Sequence, residues 1–175
     1  MEKSSVRPLA IGLTVLGGLM RVTQHGNFAP VGALSLFAGA RLRGWQAYLL
    51  PLLLMAATDP FVGGYSVDTP FVYASFLLSV WIGGRLRQTE SPAWIAAGAL
   101  AGGVQFFLVT NFGSWLMWNM YPRTPGGLLQ AYVMGIPFFW RTLASDAIYV
   151  ALFFGLHAWL SRAVSPSERV VPQAA

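Results

Sequence analysis

The basic residues of this chain mark the ends of its apolar stretches, and they do so in a repeating order. Pairs of them recur at every second boundary, and these pairs are Lys3/Arg7, Arg41/Arg43, Arg85/Arg87 and Arg162/Arg169. In polytopic membrane proteins the cytoplasmic loops are enriched in lysine and arginine. The pattern therefore predicts an all-α protein, a polytopic bundle whose helices cross a membrane several times.

The composition argues against an ordinary soluble domain. Hydrophobic residues make up 55% of the 175 residues and charged residues only 10%, whereas soluble domains carry about 25% charged residues. The net charge of +5 does not indicate nucleic-acid binding, because the basic residues are spread over the boundaries and form no patch. We expect them to meet phospholipid head groups.

Six apolar segments can be drawn between the polar boundaries, at 8–24, 28–40, 45–58, 70–84, 93–110 and 141–160. The second and third are shorter than the roughly 20 residues of a perpendicular span, so each is either a full span or a re-entrant or buried helix. A cytoplasmic N-terminus leaves only Arg21, Arg123 and Arg141 toward the outer half. We predict six transmembrane helices in the inner (cytoplasmic) membrane, with both termini cytoplasmic.

The chain is predicted to hold one transmembrane domain, over 8–162. A cytoplasmic tail precedes it at 1–7, and a disordered cytoplasmic tail follows at 163–175. The first apolar run ends at Arg21 without a signal-peptidase site of the A-x-A type, so we expect an uncleaved first span.

The connection over 111–140 is too apolar and aromatic for a solvated loop. Its stretch 121–127 predicts a turn, and 128–136 predicts a short helix that Pro137 ends. Backbone at this depth is tolerated only where it packs on protein or lines a cavity. We therefore expect the segment between helices five and six to fold back over the outer side of the bundle.

Asp146 is the most deeply placed ionisable residue, inside the last apolar segment and near its outer end. An unpaired carboxylate there is costly, so Asp146 needs a partner, a proton or an aqueous cavity. Arg21 and Arg123 are the candidate partners, since Arg141 lies on another side of the same helix. Two interpretations stay open: a structural contact between helices, or a contact with a ligand or coupling ion.

A second group of candidates combines flat apolar faces with amide and guanidinium donors, as a pocket for a planar, partly polar molecule requires. The group consists of Trp115, Trp118, Asn119, Tyr121 and Arg123. Anchoring of tryptophan at the membrane interface is the competing interpretation.

The remaining predicted ligand contacts are His25, Asn27, Asp59, Asn111 and Arg141. His25 could join Asp59 or Asp68 at a metal, but the chain's two histidines show no metal-ligand spacing, and we predict no metal. Asn27 and Asp68 stand just before apolar runs, so they are also candidates for helix N-caps.

Small residues at four-residue spacing predict close helix packing. Ala10, Thr14 and Gly18 form such a stripe in the first segment, and Gly98 and Gly102 form another in the fifth. The stripe on the first segment is a candidate for docking a partner subunit, and packing within the chain is the alternative.

We find no catalytic constellation. The sequence contains no H-E-x-x-H, G-x-S-x-G or Walker A motif and no cysteine, and we predict neither an enzyme nor a cofactor. A membrane-embedded hydrolase that pairs Ser114 or Ser145 with His25 stays open as an alternative, supported by residue type alone.

Several short motifs spread over most of the chain are shared with a known family. They are Asn27-Phe28-Ala29-Pro30-Val31-Gly32-Ala33, Leu36-Phe37-Ala38-Gly39-Ala40, Thr110-Asn111-Phe112-Gly113, Tyr121-Pro122, Gly127-Leu128 and Ile136-Pro137-Phe138-Phe139. On these residues the chain resembles a bacterial family of short integral membrane proteins of unknown function, which implies a bacterial inner-membrane location.

More remotely, the size and six-segment plan resemble the substrate-binding S components of energy-coupling factor transporters. That resemblance implies capture of a small micronutrient from the outer side, with a separate transmembrane coupling subunit and ATPases as partners. The chain lacks the histidine-rich N-terminus of nickel and cobalt members, so the substrate stays open. A structural or assembly subunit without a ligand is the alternative function.

Overall fold

The computed structural model describes residues 6–23, 28–87 and 89–164. Over these residues the chain forms six α-helices and one 3₁₀ turn at Arg21–Thr23, with no strand. The helices are α1 (Val6–Met20), α2 (Val31–Arg41), α3 (Gln46–Val62), α4 (Thr69–Arg85), α5 (Pro92–Met117) and α6 (Pro125–Val164). The predicted all-α class is confirmed. Of the tail 163–175, for which disorder was predicted, residues 163 and 164 belong to α6, and 165–175 lie outside the described residues.

The short helix α2 is the centre of the bundle. It contacts each of the other five helices, and every residue from Ala33 to Ala40 is buried. Its 11 residues span about 16 Å at 1.5 Å per residue, roughly half of a 30 Å hydrocarbon core. Of the two alternatives for segment 28–40, the structure shows the buried short helix.

The helices α2 and α4 cross in direct backbone contact. A Cβ on Gly39 would lie 2.0 Å from the Val80 carbonyl oxygen, and a Cβ on Gly83 would lie 2.0 Å from the Leu36 carbonyl oxygen. Small residues recur at four-residue spacing on both helices, at Ser35 and Gly39 of α2 and at Ser75, Ser79 and Gly83 of α4. Such stripes let helix backbones approach closely.

Aromatic packing joins α2 to α6. The Phe37 ring is fully buried, and its centroid lies 5.9 Å from that of Phe153, 5.3 Å from that of Phe154 and 5.5 Å from that of His157. This cluster occupies the half of the bundle toward the C-terminal end of α2.

The helices α5 and α6 form a long antiparallel hairpin. The Tyr132 hydroxyl donates to the Leu108 carbonyl at 3.1 Å, and the Phe107 and Phe139 centroids lie 4.9 Å apart. The predicted fold-back of 111–140 is therefore wrong. Residues 111–117 continue α5 and residues 125–140 begin α6, so only 118–124 connects them. Pro137 does not end the helix, because packing of both flanking turns on α5 offsets the one lost backbone hydrogen bond.

The face of α1 that was a candidate for partner docking is covered by the chain itself. Ala10 and Thr14 are buried, and a Cβ on Gly18 would lie 2.9 Å from the Leu54 side chain of α3. The second stripe is used in the same way, since Gly98 packs against Leu86. A partner subunit cannot reach the α1 stripe in this arrangement.

Several serines and threonines are buried within the mostly apolar interior of the bundle, and large apolar residues cover much of its outside. Thr14, Ser35 and Ser75 are fully buried, whereas Leu100, Leu129 and Trp140 are more than half exposed. Two helices, α5 and α6, are long and apolar enough to cross a membrane.

Candidate ligand-binding site

The side chain of Asp146 on α6 caps the N-terminus of α2. Its Oδ1 accepts a hydrogen bond from the Ala33 amide at 3.1 Å, whereas Pro30, the N-cap residue of α2, makes no side-chain cap. Asp146 thus supplies from another helix the acceptor that an N-cap side chain usually supplies. It also lies at the positive end of the α2 dipole, which favours a negative charge.

A basic residue complements the other end of α2. Arg87, which follows α4, donates from Nε to the Gly39 carbonyl at 3.1 Å. Cations are favoured near helix C-termini, where carbonyls lack helical partners. The buried central helix therefore has a carboxylate at its N-terminus and a guanidinium at its C-terminus, both from other parts of the chain.

A buried ion pair lies close to this site. Arg21 Nη2 is 2.6 Å from Asp59 Oδ1, with the two side chains 17% and 6% exposed. Arg21 Nη1 donates to the Thr58 hydroxyl at 2.7 Å, and the Tyr73 hydroxyl donates to Asp59 Oδ2. The cluster ties the 3₁₀ turn after α1 to α3 and α4. The predicted pairing of Arg21 with Asp146 is therefore wrong, because Asp59 belongs to the last turn of α3 and lies inside the bundle.

A pocket of about 300 Å³, called the central pocket below, lies between these groups. It is lined by Arg21, Ala29, Val31, Gly32, Val62, Val72, Phe76, Gly102, Phe106, Thr142 and Asp146. Most of the lining is apolar, and the charged groups are Arg21 and Asp146. Two aromatic rings, Phe76 and Phe106, face each other with centroids 5.2 Å apart.

A second pocket of about 240 Å³, the hairpin pocket, adjoins the first. It shares Val72, Phe106 and Thr142 with the central pocket, so the two are neighbouring parts of one region. Asn111, a predicted ligand contact, lines the hairpin pocket. Its amide nitrogen is already bonded to the Phe107 carbonyl at 2.8 Å.

Asp146 lies deeper than its position in the last apolar segment indicates. A Cβ on Gly103 would lie 3.7 Å from Asp146 Oδ2, and Gly103 stands near the middle of the 26-residue helix α5. At 1.5 Å per residue, Gly103 lies about 17 Å from the N-terminal end of α5 and about 21 Å from its C-terminal end, and the Asp146 carboxylate lies at the level of Gly103. The sequence placed it near the outer end of the segment because the first turns of α6 were assigned to the fold-back.

The predicted aromatic group lies elsewhere, at the turn of the α5/α6 hairpin. Trp115 Nε1 donates to the Pro122 carbonyl at 2.9 Å, Arg123 donates to the Leu116 carbonyl, and its guanidinium lies 6.0 Å from the Trp115 ring centroid. Trp118 is 41% exposed, and Asn119 is also exposed. These side chains and Tyr121 line neither pocket, so the predicted grouping of Arg123 with Asp146 is wrong.

The other candidates divide as follows. Arg141 is exposed on α6, and His25 and Asn27 lie outside the described residues. The Ser145 hydroxyl donates to the Ala29 carbonyl at 3.0 Å, and that of Ser114 lies 3.4 Å from Asp68. Asp68 is the N-cap residue of α4, as predicted, although its side chain makes no capping hydrogen bond.

Sequence reasoning missed several residues of the site, namely Gly32, Thr58, Tyr73, Phe76, Phe106 and Thr142. Most of them are ordinary members of apolar runs and carry no signal. The pairing of Arg21 with Asp59 did have a sequence signal, because opposite charges end the first and third apolar segments on the same predicted side.

Together the fold and the pocket define a helical-bundle protein with an apolar core and a pocket lined by two charged residues between its helices. The model of a family of unknown function, DUF6580, matches residues 2–170, and the chain belongs to this family. No curated protein and no solved structure matches the chain. The resemblance to an uncharacterised family is thereby confirmed, and the resemblance to transporter S components stays a prediction.

Proposed function

We propose that this protein is a multi-pass membrane protein that binds a small solute in the central pocket. The observation that carries the proposal is the pocket itself, about 300 Å³ in volume and lined by Asp146 and Arg21. Ligand sites are mostly apolar concavities with a few convergent polar groups, and their volumes begin near this value.

The distribution of polarity supports a membrane location. Buried serines and threonines with exposed leucines and tryptophans match a bundle surrounded by lipid, where polar groups must find partners inside. Contacts also bring several of the basic boundary residues to one end of the bundle. Arg7 donates to Gln46, Arg87 donates to the Gly39 carbonyl, and the Arg41 guanidinium lies over the Phe154 ring. A single basic end of the bundle agrees with a multi-pass protein oriented by its cytoplasmic arginines.

A solute-binding role accounts for the pocket better than a purely structural role does. Filling internal space with side chains stabilises a bundle, so an assembly subunit gains nothing from a pocket of this size. A buried carboxylate in a membrane helix is costly and is typically retained for function. We further propose uptake as the biological role, with a separate energised partner, because the sequence contains no Walker A motif.

Native mass spectrometry of the protein released gently from its own membranes tests the proposal. Gly102 lines the pocket, and a methyl group there meets no heavy atom closer than the Ser79 hydroxyl at 3.7 Å. Gly102→Ala therefore narrows the pocket without a clash. The matched control is Gly155→Ala, where an added Cβ has no neighbour within 4 Å.

We expect a defined small-molecule adduct on the wild-type protein and on Gly155→Ala, with the adduct strongly reduced on Gly102→Ala. Attached subunits that carry ATPases would in addition support the uptake role. Chains that carry only lipid, in all three proteins, would contradict solute binding and favour the structural alternative.

A further inference from the structure

We infer that the ligand of the central pocket carries a positively charged ammonium group that binds the Asp146 carboxylate. The inference rests on the proposed function and names the chemical class of the solute. It follows from the charge balance of the pocket, the free oxygen of Asp146 and the aromatic lining.

The charges of the lining do not cancel. The guanidinium of Arg21 is already neutralised by Asp59, at 2.6 Å. It also donates hydrogen bonds to the Thr58 hydroxyl and the Met55 carbonyl. Among the described residues, no cation lies within ion-pair distance of Asp146. With Asp146 ionised, the pocket therefore has a net negative charge, which favours a cationic ligand.

One oxygen of Asp146 is available to a ligand. Oδ1 accepts from the Ala33 amide, whereas Oδ2 accepts no hydrogen bond from the described residues, although Asp146 as a whole is only 5% exposed. Its nearest surroundings include Gly32 and Gly103, which carry no side chains that could block it. An ammonium group at Oδ2 would compensate the buried charge by a charge-assisted hydrogen bond.

The aromatic part of the pocket lining suits the same ligand class. The Phe76 and Phe106 rings line it, and aromatic faces attract ammonium groups through their quadrupole. Among the described residues that line the pocket, the one guanidinium, that of Arg21, is already paired with Asp59. The volume of about 300 Å³ equals about ten water molecules at 30 Å³ each, so the cation must be small.

Matched probes of one shape and three charges test this inference. Benzylamine, benzyl alcohol and benzoate form one series. Their saturated analogues, cyclohexylmethylamine, cyclohexylmethanol and cyclohexanecarboxylate, form a second. Each probe is titrated by calorimetry at neutral pH into the full chain in lipid nanodiscs, and the signal from empty nanodiscs is subtracted.

The variants separate charge from shape. Asp146→Asn removes the proposed ammonium partner and keeps the acceptor for Ala33. Asp68→Asn is the matched control, because this aspartate lies before α4 and does not line the pocket. Gly102→Ala narrows the pocket and is expected to weaken all probes without changing the order of their affinities.

We expect each amine to bind at least about ten-fold more tightly than the alcohol of the same shape, because one hydrogen bond to a charged group contributes a difference of this size. The preference should disappear in Asp146→Asn and persist in Asp68→Asn. The wild-type series decides the charge preference even if Asp146→Asn does not accumulate.

Equal or tighter binding of the alcohols or carboxylates would overturn the inference. So would an amine preference that survives in Asp146→Asn, or the absence of binding by all six probes. In each of these cases a defined adduct in the native mass spectrum would still uphold solute binding, so the two proposals can fail separately.

Discussion

Gly32 of α2 lies against the carboxylate of Asp146 on α6, so close that a Cβ at position 32 would stand 2.5 Å from Oδ1. The absence of a side chain at Gly32 is what allows the carboxylate to reach the Ala33 amide, one residue further along α2. The cap on the central helix and the wall of the central pocket therefore depend on the same glycine.

Gly32→Ala should displace the carboxylate and break the cap on α2. We expect a loss of about 1–3 kcal/mol in the free energy of unfolding, the range for an overpacked interior site. Denaturant unfolding in detergent measures this loss. Gly12→Ala is the control, since a Cβ there has no neighbour within 4 Å, and equal stability of the two variants would show that the cap is unimportant.

The α2/α4 crossing predicts a sharp contrast between two adjacent glycines. Gly83→Ala places a methyl group 2.0 Å from the Leu36 carbonyl oxygen, whereas at Gly84 the nearest atom is the end of the Arg87 side chain at 4.0 Å. Backbone atoms cannot move aside cheaply, so Gly83→Ala should cost about 3 kcal/mol or more. A melting temperature for Gly83→Ala no lower than that of Gly84→Ala would contradict the backbone contact.

The Arg21–Asp59 pair predicts strong coupling between the two positions. Asp59→Leu or Arg21→Met alone leaves a buried charge without its partner, which typically costs about 3–5 kcal/mol. The double variant removes both charges and should be more stable than either single variant. A double-mutant cycle measures the coupling, and additive losses would show that the pair contributes nothing.

The proposed membrane topology predicts opposite labelling of two exposed sites. The chain contains no cysteine, so Arg43→Cys and Asn119→Cys each give a single thiol, and both positions are exposed. In spheroplasts, whose cytoplasmic membrane is intact, an impermeant maleimide should label the Asn119→Cys protein and spare the Arg43→Cys protein. The Arg43→Cys protein should be labelled only after the membrane is permeabilised. Labelling of both from one side would contradict the proposed multi-pass arrangement.

Much of the helical framework could be predicted from the sequence, because arginine pairs and prolines separate the apolar runs. Five of the predicted segments coincide closely with α1 to α5, although α5 continues to Met117. The last helix could not be predicted in full. Pro137 and the aromatic content of 111–140 indicated a separate segment, and only contacts with α5, such as that of Tyr132 with Leu108, keep the long helix continuous.

The site was less predictable than the framework. Asp146 stood out as a charge inside an apolar segment, whereas Asp59 was placed in the connection after the third segment, and both proved to be buried. Two of their partners could not be predicted from sequence, because Ala33 contributes a backbone amide and Tyr73 comes from an unremarkable apolar run. The aromatic group at 115–123 was misassigned, since its composition fits a ligand pocket and a hairpin turn equally well.

The most direct test of the central claim is an experimental density map of the protein isolated from its own membranes in lipid nanodiscs. We expect non-protein density in the central pocket, bounded by Asp146 and the Phe76 and Phe106 rings. This density should be missing from the map of Gly102→Ala. A wild-type map in which side chains or lipid tails fill the space beside Asp146 would contradict solute binding at this site.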